Sequence, residues 1–338
     1  MNKDLQEQAC WLLLTFESGL STRIVSDILV TWCKQLGRTL EEFFAAGPQE
    51  WSTTCHLKTE FIQKLEQAKE KLVGQAFLVE QLHNEHIYLL TVLDEDYPRL
   101  LKLALNRNQI PPVLCYAGDL QILKRQTIGI IGSRNAGETS LTFTYEVAKY
   151  LAENGANVIS GNARGVDRAA YEGASSAPNG HTTVVLPHGI RKLSGVQMRN
   201  LAPKIEKGNV LLLSQFHPDA QWVVSRAMER NKVVTGLSQV VIVAESDTKG
   251  GTWEGANGAL KQGRTLYVRQ TVSAGAINCA PTGNEALIKL GGVALPWPAE
   301  NMAEVFSSLL FESAVLQQKQ SEKPERSEQP TLFATHDE

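Results

Sequence analysis

Two predicted strand-to-helix junctions set an arginine among small residues. They read Gly129-Ile130-Ile131-Gly132-Ser133-Arg134-Asn135-Ala136-Gly137 and Ser160-Gly161-Asn162-Ala163-Arg164-Gly165-Val166-Asp167. Small residues such as Gly132, Gly161 and Gly165 let backbone approach a phosphate, and N–H groups at a helix start point towards it. Ser133 adds a hydroxyl, while Arg134 and Arg164 add planar forks that match phosphate oxygens. The first loop departs from G-x-G-x-x-G, and a tight structural turn would use the same glycines. Asp167 reads as a cap for the helix that follows at Arg168.

Two further segments supply polar groups. Arg230-Asn231-Lys232, read as lying after a helix that contains Arg226, offers two cations around an amide, a set suited to phosphate and base; a solvated helix end would look the same. Gly250-Gly251-Thr252 begins a predicted helix over 252–262 and forms a second candidate anion nest. Glu245 could simply pair with a cation, and Glu254 is the carboxylate nearest the Gly-Gly-Thr turn. Neither G-x-x-x-x-G-K-[ST] nor H-E-x-x-H occurs, and His188 and His217 have no partner at ligand spacing, so no metal and no cofactor are expected. Aromatic residues make up 7% of the chain, too few for an obvious base-stacking platform. Phe216, Trp222 and Trp253 are candidates for stacking, although such residues more often belong to a core.

The elements that must position these loops follow from hydrophobic pattern. TIGIIGS, ANVISG, HTTVVLPHG, NVLLLSQ, QVVIVAE and RTLYVRQ are short Val/Ile-rich runs separated by helix-like stretches. That alternation predicts a Rossmann-like α/β fold, a mostly parallel sheet with helices on both faces and ligand loops at the strand C-termini. IYLLTVL (87–93) and VLCYAG (113–118) are two more candidate strands, with the apolar helix RLLKLAL between them. Residues 4–75 read as a small helical module, broken at Ser18-Gly19 with Ser21-Thr22 able to cap the next helix, and helical pattern continues to about Asn84. The expected division is a helical domain at 1–85, an extended Rossmann-like domain at 86–300, and a helix with a disordered polar tail at 301–338, the polar texture starting near Gln317.

Composition narrows the setting. The chain has 338 residues, 43% hydrophobic and 20% charged, with no apolar run long enough for a membrane helix. Five widely spaced cysteines (Cys10, Cys33, Cys55, Cys115, Cys279) with no C-x-x-C pair fit a reducing cytoplasm. A net charge of −3 argues against a nucleic-acid binder, but its distribution does not. Residues 121–270 hold 18 Lys/Arg against 11 Asp/Glu, leaving −10 for the rest of the chain. A basic centre with acidic flanks is the footprint of a localised phosphate-binding face.

In order along the chain, IGSR (131–134), SGNARGVD (160–167), RNKVVTGLS (230–238), VIVAES (241–246) and GANGALKQGR (255–264) resemble the DprA/Smf family of DNA-processing proteins. DEDYPRLL (94–101), IPPVLCYAGD (110–119) and GNEALIKLGG (283–292) extend the likeness. The helical region is similar to the family's helix-hairpin-helix or sterile-alpha-motif-like module. The resemblance implies single-stranded DNA binding along the strand-end face, self-association as a homodimer, and delivery of DNA to a RecA-type recombinase. By position, Arg134 and Arg164 match residues that contact DNA phosphate, with Arg230 and Lys232 extending the patch. Several positions depart from the family: Ser214-Gln215 replaces Ser-Glu, Arg230-Asn231-Lys232 replaces Arg-Asn-Arg, Gly250-Gly251-Thr252 replaces Ser-Gly-Ser, and no C-terminal winged helix is expected. These point to a divergent paralogue, whose partner could instead be a toxin or effector of a defence operon, with the core acting as an antitoxin or ligand sensor. The Gly-Gly-Thr turn followed by Glu254 is reminiscent of nucleotide phosphoribohydrolases, a catalytic alternative to a non-catalytic mediator. In the tail, Gln329, Leu332 and Phe333 resemble a short sliding-clamp-binding peptide.

Overall fold

A computed structural model of the chain describes residues 3–271, 281–298 and 301–321. Among these residues nine strands form one sheet: β1 (Tyr88–Thr91), β2 (Val113–Ala117), β3 (Thr127–Ile131), β4 (Asn157–Ser160), β5 (His181–Val185), β6 (Val210–Ser214), β7 (Val240–Val243), β8 (Thr265–Thr271) and β9 (Val293–Trp297). Their spatial order is β1-β2-β6-β5-β4-β3-β7-β8-β9. The β1–β2 and β2–β6 pairings are antiparallel and all others are parallel. The fold is therefore the α/β, Rossmann-like arrangement that the alternating runs predict. After β3 the chain steps one way through β4, β5 and β6, then crosses to place β7 on the other side of β3. The β3/β7 boundary is thus the topological switch point, where open α/β sheets usually take their ligands.

The central strands are buried along their length because helices cover both faces. On one face Ile131, Val185, Leu211 and Val243 pack against Val233, Leu237, Ala256 and Ala259 from helices Val224–Gly236 and Gly251–Lys261. On the other, Ile128, Ile130, Val158 and Ile242 meet Phe143, Val147, Leu151 and Ala170 from helices Glu138–Glu153 and Val166–Ser176. Helix Met302–Ser321 joins this second face through Phe306 and Leu309. Each fully buried aliphatic side chain contributes about 1.5–3 kcal/mol, so this double-sided core is what holds the strand ends in register.

The N-terminal helices have their own aromatic centre, in which Trp32, Phe43, Phe44 and Trp51 interlock. Ser21 accepts from Ile24 N as the predicted cap, and Thr39 forms a reciprocal capping box with Glu42. The long helical stretch is two helices, Thr59–Lys69 and Leu72–Asn84. Val79 and Leu82 of the second share a core with Cys115, Val184 and Leu212 of the sheet, so the helical region packs directly on the β2/β6/β5 end.

Three expectations need correction. Arg230-Asn231-Lys232 does not lie beyond a helix; helix Val224–Gly236 runs through it, because Ala227, Val233 and Val234 supply a continuous buried face. The polar segment from Gln317 begins as helix, which continues to Ser321 with Gln317 Nε2 donating to Lys124 O at 3.0 Å. A ninth strand, β9, was not anticipated; it contains Pro296, which a sheet edge tolerates since one side of an edge strand needs no donor. Gln329, Leu332 and Phe333 lie outside the described residues, as does Cys279. No helix of the described residues is long and apolar enough to cross a membrane.

Candidate nucleic-acid interface

The loops after β3 and β4 interlock because their glycines leave room. A Cβ on Gly132 would strike Val166, and one on Gly165 (φ +85°) would strike the carbonyls of Ser133 and Arg134. Val166 N donates to Ser133 O at 3.2 Å, fixing one loop on the other. Arg164 Nε then donates to Arg134 O at 3.2 Å, and its Nη2 donates to Asn135 Oδ1. Both arginines are exposed, and both line one cleft of about 560 Å3 at the C-terminal ends of β3, β4 and β5. Arg164 donates only to neutral oxygens and the Arg134 guanidinium lies against a neutral ring, so both charges are available to a ligand.

The remaining wall is chemically mixed. Leu186, Pro187, Leu193 and Trp222 give apolar surface; Asn135, Asn162, Gln197 and His188 give hydrogen-bonding edges; among the described residues no carboxylate lines the cleft. His188 Nδ1 lies 2.9 Å from Gly189 O. A carbonyl only accepts, so Nδ1 is the donor there and Nε2 is the ring's other polar atom. Trp222 is 46% exposed, and the Arg134 guanidinium sits 5.7 Å from its ring. Of the three aromatic candidates it is the one at the cleft: Phe216 is buried and Trp253 packs against the core.

Other predicted residues have different surroundings. Arg230 is buried, with Nη1 and Nη2 at 3.4 and 3.5 Å from Asp167 Oδ2. It lies under Gly161, where a Cβ would collide with the guanidinium. It is therefore not part of an exposed cationic rim, and Asp167 is its counter-ion rather than a helix cap; Gly165 holds the N-cap position. Burial pushes the Asp167 carboxyl up, while the Arg230 and Arg134 charges pull it down. Ser160 is fully buried, and its Oγ donates to Asp167 O at 3.3 Å, so its hydroxyl does not reach the cleft. Asn231 Nδ2 donates to Gly251 O at 3.1 Å, tying helix Val224–Gly236 to the Gly250-Gly251-Thr252 turn. Gly250 there adopts φ +90° and the turn opens helix Gly251–Lys261, with Glu254 in its first turn. Lys232 is exposed.

The switch-point crevice has an occupant of its own. Glu245 Oε2 accepts from Gly137 N at 3.0 Å and from Ser140 Oγ at 2.6 Å, while Ser133 N donates to Glu245 O at 2.9 Å. The start of helix Glu138–Glu153, expected to face a phosphate, instead faces this carboxylate, which satisfies the same N–H and dipole. Sequence reasoning missed the two residues that pin this arrangement. Arg269 Nη2 donates to Ser140 Oγ at 2.8 Å and Nε to Ala244 O at 2.9 Å. Asn284 Oδ1 accepts from Ser246 N at 2.8 Å and its Nδ2 donates to Ala244 O and Arg269 O. The only sequence signal was the GNE of residues 283–285, where a Cβ on Gly283 would strike Ser246 O.

Fold and cleft together define a Rossmann-like protein with a doubly cationic cleft at its strand ends, lined by no carboxylate among the described residues. A family profile describing DNA recombination-mediator protein A matches residues 88–307. The chain belongs to that family. It is 29% identical over 249 residues to Protein Smf of Synechocystis sp., covering 72% of this chain and 60% of that one. It is 29% identical over 220 residues to DNA processing protein DprA of Bacillus subtilis, covering 64% and 71%. The chain thus spans about six tenths of the length of the Synechocystis relative. Among solved structures it is similar to DNA processing protein A of Streptococcus pneumoniae (TM-score 0.60, 23% identity, 85% of this chain and 94% of that chain). It is also similar to that of Helicobacter pylori, a structure describing a single-stranded DNA binding mode (TM-score 0.55, 26% identity, 67% and 96%).

Proposed function

We propose that this chain is a single-stranded DNA-binding DNA-processing protein whose strand-end cleft holds the sugar–phosphate backbone at Arg134 and Arg164 and a base against Trp222. One observation carries the reading: two guanidiniums from separate loops and an exposed indole converge on one cleft lined, among the described residues, by no carboxylate. A polyanion gains there by releasing counterions, and an unpaired base gains an aromatic face that a stacked duplex base cannot use. The Helicobacter pylori neighbour and family membership support the same ligand. The reading extends to handing the bound strand to a RecA-type recombinase, as a homodimer in the cytoplasm; the family's description as a recombination mediator supports the handover. The occupied switch-point crevice favours this reading over a nucleotide hydrolase, because a nucleotide phosphate at the start of helix Glu138–Glu153 would have to displace Glu245. The test is a competition binding assay with a labelled oligothymidylate against unlabelled single strand and duplex of equal length. Single strand should compete far better than duplex; equal competition, or no binding at moderate salt, would contradict the proposal.

A further inference from the structure

A second cleft, of about 380 Å3, adjoins the first. Asn162 and Gln197 line both, so one pair of amide side chains separates them. Its walls come from helices Glu138–Glu153, Val166–Ser176 and Gly195–Glu206. At its centre the largely buried Tyr171 ring holds two cations, with the Arg168 guanidinium 5.4 Å and the Lys204 ammonium 5.1 Å from its centroid. Arg168 Nη1 also donates to Asn162 Oδ1 at 3.4 Å, linking this cationic pair to the partition between the clefts. Among the described residues Glu172 is the single carboxylate lining the cleft, and it pairs with Arg168 Nε at 2.7 Å. The Lys204 ammonium is held below its ordinary range, first by burial and then by the Arg168 charge. Two like charges therefore share one aromatic ring with one carboxylate between them, an arrangement that an incoming anion relieves. Tyr145, 38% exposed, lines the same cleft.

We propose that this second cleft receives the strand as it leaves the first, Arg168 and Lys204 clamping a phosphodiester and Tyr145 stacking on the neighbouring base. The inference rests on the reading of the first cleft as a single-strand site. Continuity favours a chain over a small free anion, since the shared Asn162 and Gln197 give the path between clefts amide donors and acceptors instead of an apolar barrier. The clamp residues lie outside the two arginine-bearing loops, and neither contributes to the first cleft.

The experiment uses the full chain and oligothymidylates of increasing length, from about 4 to about 16 nucleotides, the range that single-strand sites span. Wild type should bind the longer strands more tightly and with a steeper salt dependence. In Arg168→Ala/Lys204→Ala the shortest strand should bind as in wild type. The longest should lose roughly tenfold or more in affinity, with a salt slope reduced by about 0.7 for the phosphate released. Tyr145→Ala, at an exposed position, should weaken the longest strand alone. Wild-type affinity of these variants for long strands would overturn the second cleft and leave the first intact. A loss equal at every length would overturn it too, because the shortest strand occupies only the first cleft. Failure of wild type to bind any length would instead remove the reading on which this one rests.

Discussion

At the scale of single residues, the cleft is built over a buried ion pair. Truncating Arg230 strands Asp167 without its counter-ion, and breaking such a pair costs about 3–5 kcal/mol. Arg230→Ala should therefore lower unfolding stability by that order in denaturant titration, and Gly161→Ala should act in the same direction by forcing the guanidinium off its site. A variant as stable as wild type would show that the pair contributes nothing. Trp222→Ala is a different kind of change. Nearly half of the residue is exposed, so the melting temperature should change little, while single-strand binding weakens by about 1–3 kcal/mol through lost stacking. Arg134 and Arg164 were legible because each follows an apolar run and sits among glycines. Arg230 was not readable as buried, since its partner is 63 residues away and the space it occupies exists only because position 161 has no side chain. Trp222 looked like a core residue for the opposite reason: sequence records its size but not the open cleft beside it.

At the scale of elements, the start of helix Glu138–Glu153 is held by a carboxylate from the neighbouring β7 loop. Such an anion at a helix N-terminus is worth about 0.3–1 kcal/mol, and up to about 2 when partly buried. Glu245→Gln should cost about 1 kcal/mol in thermal or denaturant unfolding and leave strand binding nearly unchanged. A marked gain in polyanion affinity would instead locate the anion in the switch-point crevice. Among the six strands β3–β8, the Val/Ile runs were sufficient evidence, because parallel strands buried on both faces read as near-continuous apolar runs. The pattern failed where burial is one-sided or the chemistry mixed. β9 alternates exposed and buried residues and carries a proline, and helix Val224–Gly236 hides its apolar face beneath the polar run Glu229-Arg230-Asn231-Lys232.

At the scale of the whole molecule, the basic surplus of residues 121–270 is divided between surface and interior. Arg230, Arg264 and Arg269 are all buried. Arg264 donates to Leu100 O and Gly236 O, and burial lowers its pKa to about 10. These cations fasten elements together; Arg134 and Arg164 are left to face solvent at the cleft. The contact between helical region and sheet has a pH signature. His217 meets the Phe16 ring edge-on at 5.7 Å and lies 3.8 Å from Glu17. Burial lowers its pKa from 6.5, outweighing the opposing pull of Glu17 and Asp219; Arg191 and Arg226 lower it further. The unfolded chain then binds the proton more readily, so stability is full above about pH 6.5 and falls as pH drops below it. His217→Gln should flatten that dependence in melting curves, whereas an unchanged profile would assign it to other groups. The central claim, that the two exposed arginines hold DNA phosphates, is tested most directly by the dependence of the binding constant on salt for a short single strand. In a logarithmic plot, Arg134→Ala/Arg164→Ala should reduce the slope by about 1.4, since each phosphate neutralised on single-stranded DNA contributes about 0.7. A double variant with wild-type affinity and wild-type slope would contradict the account.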